Sequence, residues 1–139
     1  MSSAEEFNQQ VISEFRANAG VVGGPFAGAP MILLTHTGAK SGIERTTPLV
    51  CSRDGDDVVI IASMGGAPTN PQWYYNMVAN PEVTVELGTE TFQAQVIEAT
   101  GAERDRLFAA QAAIMPNFDE YQAKTSRVIP VLVLRRIAG

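Results

Sequence analysis

The chain has 139 residues, 45% of them apolar and 18% charged, which suits one domain with a sizeable core and excludes a disordered polypeptide. Fifteen acidic against ten basic residues leave a net charge of −5, so nucleic-acid binding, which needs a broad basic face, is not expected. No apolar run approaches a membrane span, Met1–Glu6 lacks the basic start and apolar centre of a secretion signal, and the lone Cys51 precludes a disulfide framework or a cysteine-rich zinc site. A cytoplasmic protein is the simplest reading.

Ser3-Ala-Glu-Glu6 has the capping-box pattern of a helix start, and Phe7, Val11, Ile12 and Phe15 then fall on one helical face. That face suits packing better than a peripheral membrane contact, which stays open. Residues 19–30, rich in Gly and Pro, form a connection. Met31–Thr37 reads as a first strand, and a second is expected over about Arg45–Ser52. Arg53–Asp57 is a hairpin turn by composition, and Val58–Ala62 is a buried-looking strand. Gly65–Thr69 is a loop. Asn70-Pro71 predicts a helix start with Asn as the cap and Pro at the first helical position, and Asn80-Pro81 predicts its end.

Glu82–Leu87 and the segment carrying Phe92, Ala94 and Val96 alternate as half-buried strands do. Thr100-Gly-Ala-Glu103 is a second capping box before a helix that Pro116 breaks, followed by a short helical piece over Phe118–Ala123 and a last strand over Ile129–Leu134. Successive hairpins rather than strand–helix alternation predict a largely antiparallel sheet. The expected fold is mainly β or α+β: a six-stranded antiparallel split barrel with flanking helices, one domain over 1–139, with the N-terminal helix in 1–20 and the barrel in 24–136.

The chemistry concentrates in Thr35–Pro48. Lys40, Ser41 and Arg45 surround Gly38 and Gly42 directly after an apolar strand, an arrangement that lets amides and cations converge on an anion. A hairpin turn with solvated charges accounts for the same residues equally well. His36 is the only histidine and has no acid or thiol at ligand spacing, so no metal site is expected. Cys51 lacks a neighbouring base, and the acids sit in caps and turns, so hydrolase chemistry has little support. Ser63-Met-Gly-Gly66 ends a strand shortly before Trp73, which could cover a planar ring, although Trp and Tyr in a first helical turn more often anchor a core. From residues alone the reading stops at an anionic, ring-containing ligand on a small barrel. Any reactive atom would then come from an organic cofactor.

Leu33–Leu49, Ala62–Tyr74, Ala79–Val83 and Arg127–Val131, in this order, resemble the deazaflavin-dependent nitroreductase family of split-barrel flavin-binding proteins, from about Gly24 to Arg136. The resemblance implies coenzyme F420 as cofactor, with FMN the alternative. It implies hydride transfer from the reduced deazaflavin to a small electrophilic acceptor such as an activated alkene, quinone or nitro compound. A carrier with little turnover and a haem-binding barrel are the competing readings. By resemblance, Ala39, Lys40, Ser41 and Arg45 match contacts to the cofactor phosphate, and Thr46, Thr47 and Pro48 match positions along the ribityl chain and ring. Ile61, Ala62, Ser63 and Met64 match the strand end beside the deazaflavin, and Gln72, Trp73, Tyr74, Tyr75 and Asn76 match the helix that closes the site. Phe118 and Tyr121 fall in the substrate-pocket segment, and Ser63, Tyr121 or water would deliver the proton. Lys124 and Arg127 could extend a basic track for the anionic tail, with solvated surface charge as the plainer reading.

The chain also departs from the pattern. Some nitroreducing relatives carry lysine where Met64 stands, and tyrosines at three pocket positions of which only Tyr121 keeps its hydroxyl here. Cofactor binding survives these changes, whereas reduction of nitro compounds is the activity they affect. Family members are often dimeric, so a homodimer is compatible with the resemblance.

Overall fold

The structure is a computed structural model that describes residues 3–24, 28–63 and 66–137, with the side chains of residues 3–5 also outside the description. Helix α1 (Ser3–Ala17) precedes strand β1 (Met31–Thr37), β2 (Glu44–Val50), β3 (Ser52–Asp54) and β4 (Asp57–Ile61). Helix α2 (Gln72–Ala79) leads to β5 (Glu82–Leu87) and β6 (Glu90–Ala99); α3 (Gly101–Ile114) and α4 (Asn117–Ala123) then return the chain to β7 (Val131–Arg136).

The strands form one antiparallel sheet in the order β2-β1-β5-β6-β7-β4-β3. Its two edge strands are successive in the chain, separated only by Cys51, whose N–H bonds the Pro30 carbonyl at 3.0 Å. A chain that passes from one edge of a sheet to the other in a single residue forces the sheet to curl on itself. Counting β2 and β3 as one bent strand gives the expected six-stranded split barrel. The expected strand over Arg45–Ser52 is thus broken at Cys51 and runs on to Asp54, and the hairpin turn shrinks to Gly55 (φ +62°) and its neighbours.

Strand alternation distributes the apolar side chains between three cores. Ile32 and Leu34 point inward with Val85, Leu132, Leu134 and Ile60, and Met77 of α2 closes this interior. Met31 and Leu33 point outward and are covered by Val11, Ile12 and Phe15 of α1. Val59, Ile61, Val131 and Val133 pack outward under Leu107 and Phe108 of α3 and Phe118 of α4. Each large side chain so buried contributes roughly 1.5–3 kcal/mol.

Two expected caps are not made. Thr100 has the extended backbone of an N-cap but no side-chain cap bond, and the Glu103 carboxylate, the other half of the box, pairs with Arg106 at 2.9 Å. Pro71, not Asn70, caps α2, and the Asn70 amide oxygen accepts from Arg127 Nη1 at 2.7 Å. The expected Ser3–Glu6 box lies outside the described side chains.

Candidate functional site

The turn between β1 and β2 closes on itself. Gly38 N–H donates to the Ile43 carbonyl at 2.9 Å, Gly42 N–H to the Gly38 carbonyl at 3.1 Å, and Ile43 N–H to Ser41 Oγ at 3.1 Å. Gly42 sits at φ +71°, a conformation that favours glycine, and a Cβ on Gly38 would displace the Ser41 hydroxyl from its place. The remaining amides divide. Ala39 N–H donates to Asn76 Oδ1 at 3.0 Å, while the Lys40 and Ser41 amides have no partner among the described residues.

The charges divide in the same way. Arg16, Arg106, Arg135 and Arg136 each bind a carboxylate within 3.0 Å. Lys40 and Arg45, both exposed, have neither a hydrogen bond nor an ion pair among the described residues. Arg53 is likewise unpaired, on a surface it shares with Asp56, Asp57, Arg135 and Arg136. Two free amides, an ammonium and a guanidinium thus stand within a few residues of one glycine turn, the donor types that an anion requires. This is the fit expected for a phosphate-bearing cofactor.

Beside the turn, a groove of about 410 Å³ separates α1 from β2, with Gln9 and Arg16 on one wall and Arg45, Thr46 and Thr47 on the other. The Arg16 guanidinium is already held by Glu86 at 2.9 and 3.0 Å, so Arg45 is the cation this groove has to offer. Thr46 Oγ1 bonds Thr35 Oγ1 at 2.8 Å across the strand pair, and Pro48 lies opposite Leu33, half-buried.

Helix α2 reaches the turn through Asn76, which is 2% exposed. Its Oδ1 accepts from Ala39 N–H and from Gln72 Nε2 at 3.2 Å, and its Nδ2 lies 3.1 Å from His36 Nδ1. His36 Nε2 in turn lies 3.1 Å from Thr47 Oγ1. Burial and the Arg45 charge across the strand pair lower the His36 pKa. Trp73 and Tyr74 pack against the barrel interior, and Tyr74 Oη donates to Glu98 at 2.8 Å, with burial and then that bond pushing its pKa up to about 12. Tyr75 is exposed and edge-on to Tyr74, with ring centroids 5.4 Å apart.

The far wall is the loop after β4. Ile61 and Ala62 are buried, and Ser63 is 8% exposed; Met64 lies outside the described residues. Arg127 fixes this loop from within. Its guanidinium donates to the carbonyls of Ala62 (3.3 Å), Ser63 (2.8 Å) and Ala67 (2.9 Å) and to Asn70. The expected basic track through Arg127 is therefore not present, because this cation is consumed by backbone oxygens and turned inward. Lys124 stands 5.9 Å from the Tyr121 ring.

Gly66 (φ +84°) lets α4 approach, since a Cβ there would meet the Tyr121 carbonyl at 2.7 Å. Tyr121 is half-buried, edge-on to buried Phe118 at 5.5 Å, and its Oη accepts from Asn117 Nδ2 at 2.7 Å. The phenolic proton is left to point elsewhere.

The structure thus joins the glycine turn to α2 through Ala39 and Asn76, both named by the resemblance, and adds His36 to them. His36 and Arg127 were the misses. A histidine in a strand facing a helix with Asn, and an arginine close after the second glycine loop's packing helix, were the signals available.

Residues 8–136 match the F420H(2)-dependent quinone reductase family. An F420H(2)-dependent quinone reductase of Mycobacterium tuberculosis is 41% identical over 126 residues, 88% of this chain and 85% of that protein. Among solved structures, an F420-H2 dependent reductase (FDR-A) superposes with a TM-score of 0.71 at 38% identity, over 76% of this chain and 94% of that one. A structure described as a domain-swapped dimer gives 0.73 at 34% identity, over 96% of this chain and 100% of that one. With the barrel and these relatives in agreement, the chain belongs to the F420H(2)-dependent quinone reductase family and is a reductase whose cofactor is coenzyme F420.

Proposed function

We propose that this protein reduces quinone-type acceptors, with the cofactor phosphate seated on the turn formed by Ala39, Lys40 and Ser41 and reached by Arg45. The observation that carries this reading is the pair of unengaged amides and unpaired cations at that turn. Thr46, Thr47 and Pro48 would flank the ribityl chain and ring, Ile61 to Met64 would back the ring, and Gln72 to Asn76 would close the site. When bound in its reduced form, the cofactor supplies the hydride.

The chain's own residues bind, orient and exclude water. We place the acceptor at the loop end beside Ser63 and Phe118, both buried, where an apolar planar molecule costs less to desolvate than a charged one. Reduction of a quinone places negative charge on one oxygen, and that oxygen needs a proton. Tyr121 is assigned this step because its Oη already accepts from Asn117, which leaves its own hydrogen to donate. Solvent then restores the phenol. Ser63 is the second candidate.

The family resemblance to a domain-swapped dimer supports a homodimer as the working form. Cys51, 1% exposed and with its thiol pushed up to about 11 by burial, suits a reducing cytoplasmic compartment. No helix among the described residues is long and apolar enough to cross a membrane.

Fluorescence titration with coenzyme F420, run beside FMN, tests the seat; oxidation of the reduced cofactor by a soluble quinone tests the acceptor. Saturable F420 binding with quinone-dependent turnover is expected. Turnover with nitro compounds or activated alkenes but not with quinones would reject the acceptor class alone. Tyr121→Phe should slow quinone turnover about 100-fold with unchanged cofactor affinity, and an unaltered rate would remove Tyr121 as the donor.

A further inference from the structure

We infer that His36 is a positioning residue: a neutral, Nε2-protonated imidazole that links the phosphate-facing turn to Thr47 through Asn76 and so holds two parts of the cofactor site in register. The inference deepens the cofactor seat proposed above and rests on it.

The direction of every bond in the chain follows from its first member. A backbone N–H can only donate, so Ala39 fixes the atom 3.0 Å away as the Asn76 carbonyl oxygen. Gln72 Nε2 supports that orientation from the same helix at 3.2 Å. The Asn76 amide nitrogen must then face His36, and it donates to Nδ1 at 3.1 Å. An imidazole nitrogen that accepts carries no proton, so the proton sits on Nε2. Nε2–H donates to Thr47 Oγ1 at 3.1 Å, and Thr47 spends its acceptor there. Its own O–H is then left to donate from the inner face of β2, where Thr47 stands opposite Leu34.

Nothing else among the described residues ties the middle of this turn to α2. Asn80 Nδ2 bonds the Thr37 carbonyl at 3.3 Å, which secures the end of β1 but leaves Ala39 to Asn76 alone. Without the imidazole acceptor, the buried Asn76 Nδ2 loses its partner, and only Gln72 and Ala39 itself are left to keep Oδ1 on the turn. Loosening of that hold frees the Ala39 amide, and the Lys40 and Ser41 amides are no longer aimed together. His36 at 4% and Asn76 at 2% exposure are too buried for water to replace either partner cheaply.

The test uses the whole protein and three replacements. His36→Phe keeps the ring volume and removes both nitrogens. His36→Asn places an amide oxygen where Nδ1 accepts, and His36→Gln places an amide N–H where Nε2 donates. Each is titrated with coenzyme F420 and with the same deazaflavin lacking phosphate and tail. His36→Phe should weaken F420 about tenfold and the phosphate-free deazaflavin much less. His36→Asn should restore most of the F420 loss, because it recovers the hold on Asn76.

Equal weakening of both ligands with no rescue by His36→Asn, or no weakening at all, overturns the inference while the cofactor seat stands. Failure of the unaltered protein to bind F420 overturns the seat and the relay together. Nitrogen NMR of this single-histidine protein checks the premise without any cofactor. The neutral form protonated on Nε2 is required, and a proton on Nδ1 at neutral pH overturns the relay.

Discussion

The turn after β1 keeps its donors for something outside the chain, whereas the loop after β4 surrenders its acceptors to the chain itself. At the first, Asn76 takes one amide and leaves those of Lys40 and Ser41, with two cations, unengaged. At the second, one guanidinium collects three carbonyls and an amide oxygen, and little is left over. Both loops owe their path to glycine, but one leaves its donors unengaged and the other has its acceptors filled from within. The contrast lies in what holds each loop: a neutral, directional network in one case and a buried cation in the other.

Breaking the second loop should have the largest effect. Arg127→Ala strands four acceptors that Arg127 now satisfies, at a cost of about 3 kcal/mol or more. For a domain of this size that lowers Tm by roughly 10 °C, measured by scanning calorimetry. Arg127→Lys should recover only part of the loss, since an ammonium cannot present a planar fan of donors. An Arg127→Ala protein that melts like the parent would mean that the loop holds itself.

Stripping the first loop of its cations should cost less stability and more affinity. Lys40→Ala with Arg45→Ala is expected to weaken F420 by about 2–4 kcal/mol, roughly 30- to 1,000-fold, because each cation forms charge-assisted contacts to an anion. Tm should change little, as neither side chain has a partner to lose among the described residues. The parent's affinity should also fall as salt rises, and that dependence should flatten in the double variant. Unchanged affinity would reassign these cations to solvent and erase the difference between the two loops.

How far the sequence foretold this differs along the same divide. Strand periods are local, so Met31–Thr37 and Glu82–Leu87 appear with the expected bounds. The glycine turn was equally legible, because Gly38 and Gly42 stand beside their own cations. What holds each loop was not. Arg127 bonds carbonyls 57 to 65 residues away, and Asn76 bonds Ala39 across 37. Such pairs exist only once the barrel has closed, and no spacing rule reports them. The lost caps have the same origin: Asn70 and Glu103 were read from neighbours, while distant Arg127 and adjacent Arg106 bid for the same oxygens. Cys51 shows the limit most simply, since one unremarkable residue in a strand-like run is where the barrel turns its corner.

The smallest expected effect probes the neutral side of the comparison through acid. In the folded protein the His36 pKa lies below its ordinary value of 6.5, first because burial disfavours the imidazolium and second because Arg45 repels it. The other groups near the ring add no acid within the network: Asn76 and Gln72 of α2 and Thr47 of β2 are neutral. Between the depressed folded pKa and about 6.5 the unfolded chain binds more protons than the folded one, so stability falls as pH falls. The contribution is complete above the unfolded value and is lost progressively on the acid side of it. Tm of the parent should therefore decline below about pH 6.5, and His36→Asn, which cannot titrate, should show a shallower decline over the same interval. The carboxylate pairs of Arg16, Arg106 and Arg135 are common to both proteins, so the difference between the two curves isolates His36. Parallel curves would mean that the imidazole binds its proton as readily in the fold as in the unfolded chain, so that neither burial nor the bond to Asn76 holds it neutral.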